Sequence, residues 1–165
     1  MMITLTGFMG SGKTTVGKVL ADFLGCPFWD LDDLVVKKAG KSIPEIFAQD
    51  GEPAFRELEA RLLRQTVEKY AESTAVLALG GGAILAPASA ALLRDKTVCI
   101  YLRATLDTLL ARLAGETAGR PLADASLAAR LAARAPLYEE TAHVTIDTDG
   151  LSPDEVADEI IISAL

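Results

Sequence analysis

The fold class this sequence predicts is α/β: a parallel sheet with helices on both faces, giving three layers. Three observations predict it. Strand-like and helix-like segments alternate along the whole chain. Residues 75–79 and 97–102 are nearly unbroken apolar runs, the mark of strands buried on both faces. Residues 7–14 read Gly-Phe-Met-Gly-Ser-Gly-Lys-Thr, a complete G-x-x-x-x-G-K-T phosphate loop between a β-prone run and a helix-prone run.

Each element has a local reason. Residues 3–6 form the first strand, and residues 15–24 the helix after the loop, with Val16, Leu20 and Phe23 or Leu24 on one face. Gly25 and Pro27 end that helix. Residues 28–31 read as a short second strand with Asp32 and Asp33 at its carboxyl end, followed by a mixed polar and apolar stretch to Ala39. Ser42, Pro44 and Glu45 mark a helix start by cap, first-turn proline and capping-box acid. Pro53 opens a long charged helix to about Ala71, with Glu52/Arg56, Glu57/Arg61 and Arg64/Glu68 at i,i+4 spacing. Strand three, 75–79, ends at Gly80-Gly81-Gly82. A helix over 88–94, strand four over 97–102 and a helix over 106–113 come next. A glycine-bearing loop, 115–121, leads to a helix over 125–141 that contains Pro136, a helix-kinking residue. Residues 144–147 are the fifth strand, and Ser152 with Pro153 and Glu155 starts the last helix.

The 165 residues are one domain's worth, and half of them are hydrophobic, enough for a core without metal or disulfides. The net charge of −7 disfavours non-specific binding to nucleic acid or anionic membrane. An anionic ligand must therefore be met by locally gathered cations. The two cysteines, Cys26 and Cys99, form no C-x-x-C, and the sequence opens on a strand with no basic leader. A reducing, cytoplasmic setting is expected.

The phosphate loop supplies the first site residues. Gly10, Ser11 and Gly12 let backbone N–H groups converge on phosphate oxygens, and the following helix adds its positive end. Lys13 reaches the β- and γ-phosphates, the Thr14 hydroxyl is suited to Mg²⁺, and Thr15 stands behind it. In an open parallel sheet, ligands collect beyond the carboxyl ends of the strands. Asp32 and Gly80–Gly82 fall there. Asp32 is placed to orient or deprotonate an attacking hydroxyl. Asp30 and Asp33 are weaker candidates, and Asp33 suits a helix cap. Arg56, Arg120 and Arg134 are candidate anion readers. Each also has a plainer reading: Arg56 as a surface partner of Glu52, Arg120 as an ordinary loop charge, Arg134 as a helix-surface charge near Glu139.

Taken together, these segments resemble shikimate kinase, a P-loop small-metabolite kinase related to the nucleoside monophosphate kinases. The matching segments are residues 7–17, Asp30-Leu31-Asp32, 43–47, Gly51-Glu52 with 55–59, 79–83, Arg120-Pro121-Leu122 and Arg134-Ala135-Pro136-Leu137-Tyr138. They cover nearly the whole chain in order. The resemblance implies sheet order 2-3-1-4-5, an acceptor region over about 32–60 and a mobile lid over about 115–124. It implies ATP-dependent phosphorylation of the shikimate 3-hydroxyl by a monomer whose partners are ATP, Mg²⁺ and shikimate. It also implies roles. Asp32 binds the ring hydroxyls and acts as base, Arg56 and Arg134 hold the carboxylate, and Gly81 admits the substrate to the backbone. Arg120 reaches the ATP phosphates, and Arg112 and Pro153 flank the adenine. Thr14 ligates the metal, with Asp30 or Asp32 touching it through water. Two positions depart from the family pattern: Ala78 stands where a small hydroxyl residue is common, and Leu151 where a polar or basic one is. The rival readings are a gluconate-type kinase and a non-catalytic nucleotide switch. The triple glycine and Arg-x-Pro-Leu-Tyr weigh against the first, and the intact Lys13, Thr14, Asp32 and Arg120 against the second.

Overall fold

The computed structural model describes residues 1–116 and 123–165, with side chains described for 1–114 and 126–165. Arg120 and the centre of the expected lid lie outside the described residues. Five strands form one parallel sheet: β1 (Met2–Thr6), β2 (Phe28–Asp30), β3 (Ala75–Ala78), β4 (Thr97–Arg103) and β5 (Val144–Asp147). Their order is β2-β3-β1-β4-β5, as expected. The helices are α1 (Lys13–Leu24), α2 (Leu31–Ala39), α3 (Ile43–Gln49), α4 (Glu52–Lys69), α5 (Pro87–Lys96), α6 (Leu106–Glu116), α7 (Ala123–Thr141) and α8 (Pro153–Ala164).

The period-two alternation of β1 splits the core into two layers. Ile3 and Leu5 face α1 and α8, packing with Val16, Leu20, Val156 and Ile160. Met2 faces the other layer, with Leu63 and Val67 of α4, Leu93 of α5 and Tyr138 of α7. Thr4 and Thr6 are fully buried in β1. The Thr4 hydroxyl is paired at 2.9 Å with that of Thr97, which also reaches the Leu93 carbonyl at 2.7 Å, so the Thr4 and Thr97 hydroxyls meet the requirement that buried polar groups be hydrogen-bonded, while that of Thr6 has no partner among the described residues. A third, small cluster of Val35, Ile46 and Phe55 joins α2, α3 and α4.

Most starts fall where the sequence put them. Ser42 and Ser152 each close a full capping box. Two expectations need correction. Strand β2 ends at Asp30 rather than Leu31, and the mixed stretch after it is a helix, α2. No turn separates the two, because Asp30 is at once the last strand residue and the helix cap. Its Oδ1 accepts the backbone N–H of Asp32 at 2.9 Å and of Asp33 at 3.3 Å. The cap is thus Asp30, and Asp33 sits exposed in the first turn.

Candidate active site

The phosphate loop runs from the end of β1 into α1. Gly10 and Gly12 hold φ of 80° and 93°, a left-handed region open to glycine, and Gly12 caps α1. Ser11 is buried and its hydroxyl has no hydrogen-bond partner among the described residues. Lys13 curls back over the loop, donating to the carbonyls of Gly7 at 2.7 Å and Phe8 at 3.0 Å. Burial pulls its ammonium down to about 8. Asp32 and Asp30 oppose that shift, and Arg134 adds to it. The Thr14 hydroxyl donates to Asp30 Oδ2 at 2.8 Å.

Loop and strand ends enclose a cavity of about 430 Å³. Gly10, Ser11, Gly12, Lys13, Thr14 and Thr15 line one wall, and Asp30, Asp32, Gly80 and Gly81 another. Arg112, Leu151 and Pro153 line it as well. Arg112 is fixed there by bonds to the Gly10 carbonyl at 3.2 Å and Thr148 Oγ1 at 3.4 Å. Ala78, by contrast, is buried inside β3.

The three glycines after β3 make room for side chains from distant segments. A Cβ on Gly80 would stand 2.9 Å from both Asp32 Oδ1 and Glu59 Oε2. On Gly81 it would lie 3.6 Å from Arg134 Nη1, and on Gly82 only 2.5 Å from Arg56 Nη2. So Asp32, Arg134 and Arg56 each face one glycine of the row. The expected surface partners do not displace this arrangement. Arg56 does reach Glu52, at 3.6 Å, but its shorter contact is Glu59 at 2.9 Å. Glu139 is taken by Arg103 at 3.2 Å, not by Arg134.

Two residues here escaped the sequence reading as site members. Glu59 is 3% exposed, and its Oε2 has no hydrogen-bond partner among the described residues. Burial raises its carboxyl above the usual range, although the hydrogen bond and charge of Arg56 oppose this. The signal was present: Phe55, Glu59, Leu63 and Val67 form the buried i,i+4 stripe of α4, and one of the four is an acid. Tyr138, fully buried, donates its hydroxyl to the Gly81 carbonyl and packs against Tyr101 with ring centroids 5.0 Å apart and planes tilted by 34°. Asp32 is half-buried. Its carboxyl is raised first by burial, then by Asp30 and Asp33, with Lys13 and Arg56 opposing. A carboxylate less acidic than usual beside a lysine and a phosphate cradle is suited to accept a proton from a hydroxyl.

The comparisons with known proteins agree with this geometry. The family model for shikimate kinase matches residues 9–164. The shikimate kinase of Enterococcus faecalis is 43% identical over 164 residues, covering 96% of this chain and 95% of that protein. That of Geobacter sulfurreducens is 45% identical, with 96% and 87% covered. Among solved structures, the Acinetobacter baumannii shikimate kinase in complex with shikimate superposes with a TM-score of 0.88 at 36% identity, covering 97% of this chain and 90% of that one. The Aquifex aeolicus shikimate kinase gives 0.85 at 32% identity, with 99% and 95% covered. A match that spans the phosphate loop, the glycine row and the last helix together leaves one assignment: the chain belongs to the shikimate kinase family.

Proposed function

We propose that this enzyme transfers the γ-phosphoryl group of ATP to the 3-hydroxyl of shikimate, yielding shikimate 3-phosphate and ADP. The observation that carries the reading is the glycine row, where one carboxylate and two guanidiniums converge beside the phosphate loop. A small polyhydroxylated carboxylate suits such a set. Arg56 and Arg134 bind its carboxylate, and Asp32 accepts hydrogen bonds from its ring hydroxyls. Gly80–Gly82 let the ring approach the backbone.

The step balances as an in-line displacement. The 3-hydroxyl oxygen forms a bond to the γ-phosphorus, the bond from that phosphorus to the β,γ-bridging oxygen breaks, and the hydroxyl proton goes to Asp32. Lys13 stabilises the charge that gathers on the transferred group, and the loop N–H groups hold the β-phosphate. Arg112 and Pro153 bound the adenine end, with Leu151 adding an apolar wall. Arg120, by family resemblance, supplies a further cation to the phosphates.

Mg²⁺ fits the residues present. Hard oxygen donors, the Thr14 hydroxyl and the Asp30 carboxylate, sit together at the phosphate end with Asp32 beside them. Among the described residues no cluster of three metal-ligating acids, histidines or cysteines exists. That matches an ion shared with substrate phosphates and water rather than caged by protein. When bound, the ion neutralises phosphate charge. Because Thr14 gives its proton to Asp30, its oxygen lone pairs are left for a cation.

Among the described residues no helix is long and apolar enough to cross a membrane. A cytoplasmic monomer that binds neither nucleic acid nor membrane completes the reading. Coupled ADP release with shikimate, gluconate or no acceptor tests the central proposal. Shikimate-dependent release, with gluconate at background, is expected. Release with gluconate alone, or with no acceptor at an equal rate, would replace this reading with one of its rivals.

A further inference from the structure

A second arginine on α7 stands one turn before Arg134. The guanidiniums of Arg130 and Arg134 both lie 5.9 Å from the ring centroid of Phe8. Phe8 is 1% exposed and belongs to the phosphate loop, whose Gly7 and Met9 backbone borders Gly81. Spacing of four on a helix puts both arginines on one face, and the ring holds each by cation–π attraction.

Charge counting sets Arg130 apart. Arg56 is shared between Glu59 and Glu52. Asp32 adds a third carboxylate on the same side. Arg134 and Arg130 have no carboxylate within ion-pair distance among the described residues. Lys13 and Arg56 offset Asp32, and Arg56 and Arg134 offset Glu59, whereas Arg130 is an added cation on the same helix face. In a chain of net charge −7, an anionic acceptor would otherwise meet a repulsive mouth.

We propose that Arg130 is a further acceptor-specificity residue, a cation with no carboxylate at ion-pair distance among the described residues, which draws the acceptor's carboxylate toward Arg134 and Arg56. The idea rests on assigning the glycine row and Arg134 to the acceptor. The two guanidiniums are at most about 12 Å apart, comparable with the screening length of about 10 Å in 0.1 M salt. One unit charge at such a range, in a dielectric between surface and bulk water, changes affinity roughly two- to fivefold.

The test uses Arg130→Gln, Arg130→Lys and Arg130→Glu in the intact enzyme, with Arg134→Ala as reference, and measures KM for shikimate and for ATP. Arg130→Gln raises the shikimate KM roughly two- to fivefold, more than it raises that for ATP. Arg130→Glu raises it by about the square of that factor, since the charge changes by two, and Arg130→Lys keeps it near wild type. Both rises fade in about 1 M salt, where screening falls to about 3 Å. A rise that survives high salt, a Glu variant no worse than Gln, or an equal rise for ATP overturns the proposal and leaves Arg130 as a clamp on Phe8. If Arg134→Ala also leaves the shikimate KM unchanged, the acceptor assignment itself has failed. If it raises KM while the Arg130 variants do not, only this inference has.

Discussion

Lys13 donates to two carbonyls of its own loop, and burial brings its ammonium to about 8. A phosphate would replace those dipoles with full negative charge and lift the value again. Activity toward free ATP should therefore fall as pH rises through about 8, while turnover of the saturated enzyme holds to higher pH. Profiles of kcat/KM for ATP and of kcat separate the two. Because the folded value lies below the ordinary 10.5, the unfolded chain binds this proton more tightly, and stability gains from Lys13 titration only above about pH 8. Lys13→Met should thus melt no lower than wild type at pH 7 without ligand, yet lose at least about a hundredfold in turnover. Near-normal turnover in that variant would remove Lys13 from the chemistry. Glu59 poses a different question, orientation against charge. Glu59→Gln keeps an oxygen for Arg56 and should leave shikimate affinity within a few-fold. Glu59→Ala frees the guanidinium and should weaken binding about tenfold, a charge-assisted bond being worth roughly 1.5–3 kcal/mol. Calorimetric titration decides; tighter binding in both variants would mean that only the charge of Glu59 matters. In the sequence, Glu59 is one acid among many on a charged helix. Only its place in the stripe from Phe55 to Val67 sets it apart, and a stripe is read for its apolar members.

At the scale of elements, the glycine row is where α4, α7 and the β2–α2 junction meet β3. Arg56→Ala and Arg134→Ala should each weaken shikimate binding about ten- to a hundredfold and leave ATP binding nearly intact. The double variant should cost less than the sum, because the two share one partner group. Gly82→Ala offers an independent check: a methyl 2.5 Å from the Arg56 guanidinium must push it aside, so this variant should mimic Arg56→Ala in titration. Full shikimate affinity in Gly82→Ala would show that Arg56 has room to move and still bind. Strands β3 and β4 were legible because burial on both faces leaves nearly continuous apolar runs, and α3 and α8 because their caps are written in serine, proline and glutamate. Helix α2 was not. Its signal is Asp30, which the chain also uses to end β2 and to meet Thr14, so a single residue stands where a turn would normally separate two elements.

Across the whole molecule, the proposed acceptor side is built on the smallest core. The two large clusters share β1, β3 and β4, whereas α3 is held mainly by the small cluster of Val35, Ile46 and Phe55, with Ala39, Ile43, Leu58 and Leu62 packed against it. Fewer buried contacts mean a lower free energy of local opening. Hydrogen exchange should be faster in α3 than in β1 and β4, and Ile46→Ala should widen that gap and raise the shikimate KM more than the ATP KM. Uniform exchange across the molecule would argue for one cooperative unit. Fold class and sheet order were readable because they follow from alternation and family pattern. The convergence of residues 32, 56, 59 and 134 on three glycines was less so, since no local spacing encodes a meeting between segments about a hundred positions apart. That separation bears on how the protein gains its activity as it folds. The phosphate cradle is local and can form with β1 and α1, but the proposed acceptor pocket lacks its Arg134 wall until α7 docks and Tyr138 reaches the Gly81 carbonyl. Loops this long close late, because non-local contacts are rewarded only after their entropy of closure is met. During refolding, recovery of shikimate turnover should trail recovery of helical signal, and the delay times the docking of one helix.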